Sequence, residues 1–426
     1  MRADVQLRRL VRVNPLTPEF ARATGEVTFV PLECVWPRGQ ADFTRRAEVE
    51  SVANGYTRFR KGDVLLPKVT PTFQAGRATV ATIDTSLGAA STEVHILRET
   101  ARSSARYMAY LGQSRRFISE GETVVEGVGN LLRVPTDWVK AFRVPLLSRQ
   151  GQEAIADFLD RETAQIDAMI EANEAMIASL EERRTAALAA VLLPQVAKPA
   201  DGSDRWFGSV EWDAPKLRRH AKITNGSTPR REREDYWGGD FPWLNSSVVN
   251  QDTVTVADQF VTQIALTECH LPKVPVGSVL IGLTGQGKTR GKATEVRLHA
   301  TINQHVAAII PDNTYWDSRF LTLLLRTAYD ELRRISDANG ATKGALTCEA
   351  LAAFRVPMPP TPVQRSLAAQ ADAATAHTDA LVAAAMDVSH LLRERRDALI
   401  TAAVTGRINP ETGVERSDPT TEKEAS

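Results

Sequence analysis

The tetrapeptide FRVP occurs twice, at residues 142–145 and 354–357, and the offset of 212 between the copies constrains the fold more than any other feature. Held without a gap, that offset sets Asp160 on Asp372, Thr163 on Thr375, and Asp167 on Asp379. It continues through Leu180 on Leu392 and the ERR of 182–184 on the ERR of 394–396. Chance does not keep such a register over about fifty residues. The segments preceding the copies correspond at an offset of 215, which places Gly62, Val64 and Leu65 on Gly277, Val279 and Leu280. At the same offset Gly76, Ala78 and Thr79 fall on Gly291, Ala293 and Thr294. The chain is therefore an internal duplication, ordered block, helix, block, helix.

Both repeated stretches read as helix. Residues 151–192 hold no proline and one glycine, at the start, and are rich in Ala, Glu, Arg and Leu. Ile155, Leu159, Ile166, Ile170, Ile177, Leu180 and Leu188 recur at helical steps and predict one apolar stripe. The second copy predicts a weaker stripe of Leu367, Ala371, Thr378, Leu381, Val388 and Leu392, diluted by alanine. A helix of about 40 residues is roughly 60 Å long. A single stripe of that length needs another long helix beside it, and its own copy is the nearest candidate. Because a whole block separates them, the two helices can lie antiparallel.

The blocks are mixed α and β. Short strand-like runs (EVTFVPL, DVLLPKV, SVLIGL, HVAAIIP) alternate with Gly, Pro and Asn turns, and a helical piece is expected over 318–335. The expected division is a first block over 1–141, a central long helix in 142–193 and a linker over 194–213. A second block follows over 214–353, a C-terminal long helix in 354–409 and a disordered polar tail over 410–426. The fold class expected is α+β.

Charge follows the same division. The whole chain carries 52 basic and 52 acidic residues, yet the first block has 20 against 15 and the second 17 against 14. Residues 142–193 have 5 against 9 and residues 354–426 have 8 against 10, so mildly basic blocks alternate with acidic helices. No apolar run reaches the roughly 18 residues of a membrane span, and the N-terminus lacks a signal-peptide core. Cys34, Cys269 and Cys348 are odd in number and far apart, which implies neither disulfides nor zinc. A cytoplasmic protein is expected.

One motif competes with this reading. Gly282, Gly287, Lys288 and Thr289 have the spacing of a nucleotide-binding P-loop. In such a loop the lysine and threonine open a helix whose free N–H groups hold phosphate. Here Gly291 and a strand-like run follow instead, Pro311 stands before Asp312 where a Walker-B strand would end, and the first copy lacks the motif. The segment reads as a glycine-rich hairpin tip, so an ATP-using enzyme is the losing alternative. A plain coiled-coil scaffold without binding specificity is a second rival. No methyltransferase, zinc-protease or serine-hydrolase motif is present in the sequence. His95 and His305 occupy similar places in the two copies and are expected to be packed or hydrogen-bonded rather than metal ligands.

With these features in place, the chain resembles the specificity subunit of type I restriction–modification systems. The resemblance rests on the two helices, "RQGQEAIADFLDRETAQIDAMI" with its ERR and the echo ending "RERRDALITAAVTGRI". It rests equally on "GSTPRREREDYWGGDFPWLNSS" and "NQHVAAIIP" in the second block and on "GYTRFRKGDVLLPKVTP" in the first. The second helix departs from the family in its alanine-rich opening. The resemblance implies two α/β target-recognition domains alternating with two long helices that pair as an antiparallel coiled coil, a pseudo-twofold object that reads a bipartite double-stranded DNA target. It implies a non-catalytic subunit with no cofactor of its own. Two modification subunits would supply S-adenosylmethionine and methylate adenine, and two restriction subunits would use ATP and Mg, in phage defence.

For DNA contact the second block offers Thr228, Arg230, Arg231, Tyr236 and Trp237 in one segment. Gln286, Lys288 and Arg290 in the hairpin tip and Lys343 beyond it complete that set. The first block offers Lys68, Thr70, Gln74 and Arg77, with Arg115 and Arg116. Arg183, Arg184, Arg395 and Arg396 are the expected partner contacts on the helices.

Overall fold

A computed structural model describes residues 4–127, 131–194, 205–285, 288–337, 344–410 and Gly413. The chain forms two compact units, one of Met1–Ala175 with Met386–Ser426 and one of Met176–Ala385. Each unit therefore combines a block with portions of both long helices, Arg149–Leu192 and Thr361–Val404.

In the first unit the strand Asp4–Gln6 pairs antiparallel with Arg143–Pro145, the first FRVP copy. A four-stranded sheet runs in the order Arg12–Val13, Val94–Arg98, Val64–Pro67, Thr79–Val80, and a second in the order Arg46–Glu48, Glu26–Val30, Leu87–Ala90, Thr57–Arg60. Val64–Pro67 is buried on both faces, as its unbroken apolar run requires. Tyr107, Phe117 and Phe142 share one core with Ile155 and Leu159 of the first long helix and Ile400 and Val404 of the second.

In the second unit a five-stranded sheet has the order Ala221–Asn225, Val306–Pro311, Val279–Gly282, Ala293–Val296, Thr253–Val254. A smaller sheet joins Gln259–Val261, Trp237–Leu244 and Thr301–Ile302. The helical piece expected over 318–335 is two helices, Ser318–Thr327 and Tyr329–Asp337, which meet at Ala328. Phe320 and Leu324 pack with Leu188, Leu192, Phe354 and Ala371.

The duplication is visible in hydrogen bonds as well as strands. Gln152 and Gln364, both without solvent exposure, stand at equivalent positions near the helix starts. Gln152 Nε2 donates to the carbonyls of Leu147 and Arg102, and its Oε1 accepts from Ser104 N–H. Gln364 repeats this with Pro359, Tyr315 and Asp317. A buried amide that makes three bonds to backbone locks each helix start to its own block.

Within each unit the two helices run antiparallel. Asn173 bonds Ser389, Glu174 pairs Arg393 and Asp167 pairs Arg396 in the first unit; Arg184 pairs Asp379 in the second. The seam of the second helix departs from the expected stripe. Leu381 is 42% and Val388 46% exposed, whereas Ala368, Ala371, Thr375, Ala385, Ser389 and Arg396 are buried. Those buried positions recur at steps of three and four or their sums, the heptad rhythm of a coiled coil. Small residues there let the helices approach closely, so the seam follows side-chain size rather than hydrophobicity.

Candidate nucleic-acid interface

The hairpin expected at the glycine-rich motif is present. Val279–Gly282 pairs antiparallel with Ala293–Val296, and Gly291 N–H donates to the Gly282 carbonyl at 2.8 Å. A side chain at Gly282 would meet the Thr289 carbonyl oxygen at 2.3 Å, so glycine is required there by close backbone approach. After Thr289 the chain enters a strand, without the helix N-terminus that a P-loop needs to hold phosphate. Lys288 projects from this tip with 74% of its side chain exposed, and its Nζ lies 3.4 Å from Oε2 of Glu181. Gln286 and Lys343 lie outside the described residues.

Arg290 turns the other way. It is 6% exposed and donates from Nη2 to Oδ1 of Asp337 at 2.7 Å, joining the hairpin to the helix Tyr329–Asp337. Tyr236 is also buried, with its hydroxyl donating to Glu268 at 2.7 Å. That bond, together with burial, raises the phenol's pKa. These two side chains serve the interior in this structure.

The segment around 226–237 presents the rest of the expected set. Thr228, Arg230 and Arg231 are exposed. The Arg231 guanidinium lies 4.1 Å from the centre of the Trp237 ring and 5.5 Å from that of Trp243, and it donates to Gln259 at 2.9 Å. The two indoles meet edge to face at 5.2 Å. Trp237 Nε1 donates to the Arg230 carbonyl, which folds this segment back on itself. Beyond it, the strand Trp237–Leu244 carries a bulge between Trp237 and Phe241. Gly239 lies in that bulge, where a Cβ would come within 2.4 Å of the Val261 carbonyl oxygen.

Sequence reasoning missed the polar array that links this segment to the hairpin. Thr228 Oγ1 donates to Gln304 Oε1 at 2.7 Å, Gln304 Nε2 lies 3.2 Å from His305 Nε2, and His305 Nδ1 lies 3.0 Å from Thr284 Oγ1. An amide nitrogen only donates, so His305 Nε2 accepts and Nδ1 carries the ring proton. His305 was legible only as the counterpart of His95; nothing in its spacing marked it as part of a surface array.

In the first unit Gln74 and Arg115 are exposed, and Lys68, Thr70, Arg77 and Arg116 are half-buried. Lys68 and Thr70 are tied by backbone bonds to Glu93, Val134 and Leu132. Arg77 donates to the Val35 carbonyl at 3.2 Å, and Arg116 pairs with Glu120 at 2.9 Å beside the Phe142 ring. Phe73 packs on Phe117, which sets the 68–77 and 115–116 segments on adjoining elements. His95 is buried, with Nε2 against the Val134 carbonyl at 3.0 Å and Nδ1 against Asn14 Nδ2 at 3.1 Å. A carbonyl only accepts, so Nε2 bears the proton; burial lowers the ring's pKa to about 4.

Arg184 and Arg396 are held within their own units. Arg396 is 5% exposed and bonded to Asp167 and Gln113. Arg184 pairs with Asp379 and, at 3.2 Å, with Asp252. Arg319, at 3.0 Å, and Arg326 also reach Asp252. Burial pushes the Asp252 carboxyl up, but Arg326 and Arg319 outweigh it and hold it at about 2. Arg183 and Arg395 are exposed on the helices.

Comparison with known proteins agrees with this architecture. The family described as type I restriction modification DNA specificity domain matches residues 209–382. The type I restriction enzyme MjaIX specificity subunit of Methanocaldococcus jannaschii is 28% identical over 162 residues, 37% of this chain and 36% of the relative. The EcoEI specificity subunit of Escherichia coli is 27% identical over 35% of this chain and 26% of its own length. These matches thus span about a third or less of the curated relatives. A solved chain from work on complex assembly and conformational transition of the type I R-M system superposes with a TM-score of 0.60 at 18% identity, over 95% of this chain and 97% of that one. The chain is thus similar to specificity subunits of type I restriction–modification systems, through the family match over residues 209–382 and the curated relatives, and it shares its fold with the superposed chain.

Proposed function

We propose that the chain is a non-catalytic DNA reader that recognises a bipartite duplex target and directs adenine methylation and restriction by partner subunits. The observation that carries two separate readings is the repetition of one block with the same interior bonds, Gln152 in one unit and Gln364 in the other. In the second unit, reading falls to the exposed Thr228, Arg230, Arg231 and Lys288, in the first to Gln74 and Arg115 with the half-buried Lys68, Thr70, Arg77 and Arg116. Arginine and lysine beside amide and hydroxyl groups match phosphates and base edges. The first block spans 1–141 and the second 214–353, with the helices as spacer.

Two modification subunits dock on the helices in this reading, bringing S-adenosylmethionine. Two restriction subunits bring ATP and Mg, and the complex works in the cytoplasm. Met386, Val388 and Leu391 leave apolar surface exposed on the second helix, with Arg395 one turn further on, and this face suits a protein partner. The test is the map of methylated adenines in cells carrying the system, compared with cells lacking this chain. A split motif that disappears with the chain is expected; methylation that is unchanged without it overturns the proposal.

A further inference from the structure

The exposed array of the second unit makes a more specific assignment, which rests on the DNA-reading proposal. Gln304 sits on a short connection between the strands Thr301–Ile302 and Val306–Pro311. That connection is tied down on both sides. Asn303, 5% exposed, accepts His305 N–H at its Oδ1 and donates its own N–H to the Leu244 carbonyl, while its carbonyl accepts Gly226 N–H. A Cβ at Gly226 would stand 1.7 Å from the Ile302 carbonyl oxygen, so only glycine lets the Thr228 segment come this close. The backbone under Gln304 is thus fixed before any ligand arrives, which is what precise recognition requires.

An amide has two acceptor lone pairs and two N–H donors. Thr228 takes one lone pair of Gln304 and His305 takes one N–H, leaving one acceptor and one donor side by side on an exposed group. Reversing the amide leaves the same two. In the major groove adenine alone pairs with that combination at both points, its N6–H meeting the acceptor and its N7 the donor. We propose that Gln304 reads an adenine in the half-site taken by the second unit, with Thr228 and His305 as positioning residues that fix the plane and direction of its amide.

The experiment is selection from randomised duplexes by the full chain and its variants, with thermal unfolding of each as a folding control. The unchanged chain should retain a motif with adenine at the position read by Gln304. Gln304→Ala should relax that position alone, by about tenfold or more. Gln304→Glu should move its preference toward cytosine, whose N4–H2 donates to a carboxylate. Thr228→Ala should weaken the adenine preference and Thr228→Ser restore it, which a role confined to phosphate contact would not produce. A motif identical at every position in Gln304→Ala and Gln304→Glu overturns the assignment. An unchanged chain that retains no motif overturns the DNA-reading proposal, and this inference with it.

Discussion

Arg396 donates from Nε to both carboxylate oxygens of Asp167, at 3.0 and 3.2 Å, and in the duplicated pair of the other unit Arg184 donates from Nε to Oδ1 of Asp379. Both arginines occupy seam positions, so each helix pair carries one guanidinium among small side chains. Arg396 is the more deeply buried of the two. Removing it leaves the largely buried Asp167 carboxylate with only the longer contact to Arg38, at 3.7 Å. Arg396→Ala should destabilise the first unit by about 3 kcal/mol, and Arg396→Met with Asp167→Leu should recover most of that loss. Urea unfolding checks both; equal destabilisation by the single and double changes would show that the pair is not coupled.

His95 sets a pH dependence. Its folded pKa lies near 4, below the ordinary value of 6.5, so the unfolded chain binds the proton first as pH falls. The contribution is complete above about pH 6.5 and is lost progressively toward pH 4, on the order of 3 kcal/mol in total. Urea midpoints measured from pH 7.5 to 4 should fall more steeply in the unchanged chain than in His95→Gln. Parallel profiles would place the protonation elsewhere.

Lys288 separates reading from nucleotide binding. Its pairing with Glu181 is exposed, and exposed pairs contribute only about 0–1 kcal/mol. Lys288→Ala should therefore leave the melting temperature within a degree or two. It should weaken duplex binding and lower the salt slope of that binding by about one. ATP binding by the purified chain that this change abolished would restore the P-loop reading.

Spacer length follows from the helices if they hold the readers apart. Asn173 and Ala385 are equivalent seam positions, both buried. A matched heptad inserted beside each keeps both seams in phase and adds roughly 10 Å of helix. With base pairs about 3.4 Å apart, the unread spacer should grow by up to about three while both half-sites stay the same. The methylated motif of the insertion variant decides it, and an active variant with the original spacer would show that another element is the ruler.

The duplicated framework was legible because it resides in local identities. FRVP, the ERR triplets and the Gly277–Gly291 spacing, repeated as Gly62–Gly76, survive as letters, and they mark the paired strands, the long helices and the hairpin. The seam of the second helix was not legible, because Leu381 and Val388 carry the hydrophobic signal while Ala371, Thr375 and Ser389 make the contact. Nor was the fate of the arginines. Arg290 and Arg231 look alike in sequence, but Asp337 draws one inward and the Trp237 face holds the other at the surface. Gln304 went unnoticed because its meaning depends on Thr228, 76 positions away.

The make-up of the first unit bears on the order in which the protein can form during synthesis. Tyr107 donates its hydroxyl to the Val404 carbonyl, Arg115 donates its N–H to Thr401, and Ile400 and Ala403 fill the same core. All of those partners are synthesised after the last residue of Met176–Ala385. The second unit is one uninterrupted stretch and can close while the ribosome is still at work. The first must hold its apolar face open until residues 386–404 arrive, so it is the unit that nascent-chain chaperones would meet and the one that a premature stop between Met386 and Val404 would leave unfinished.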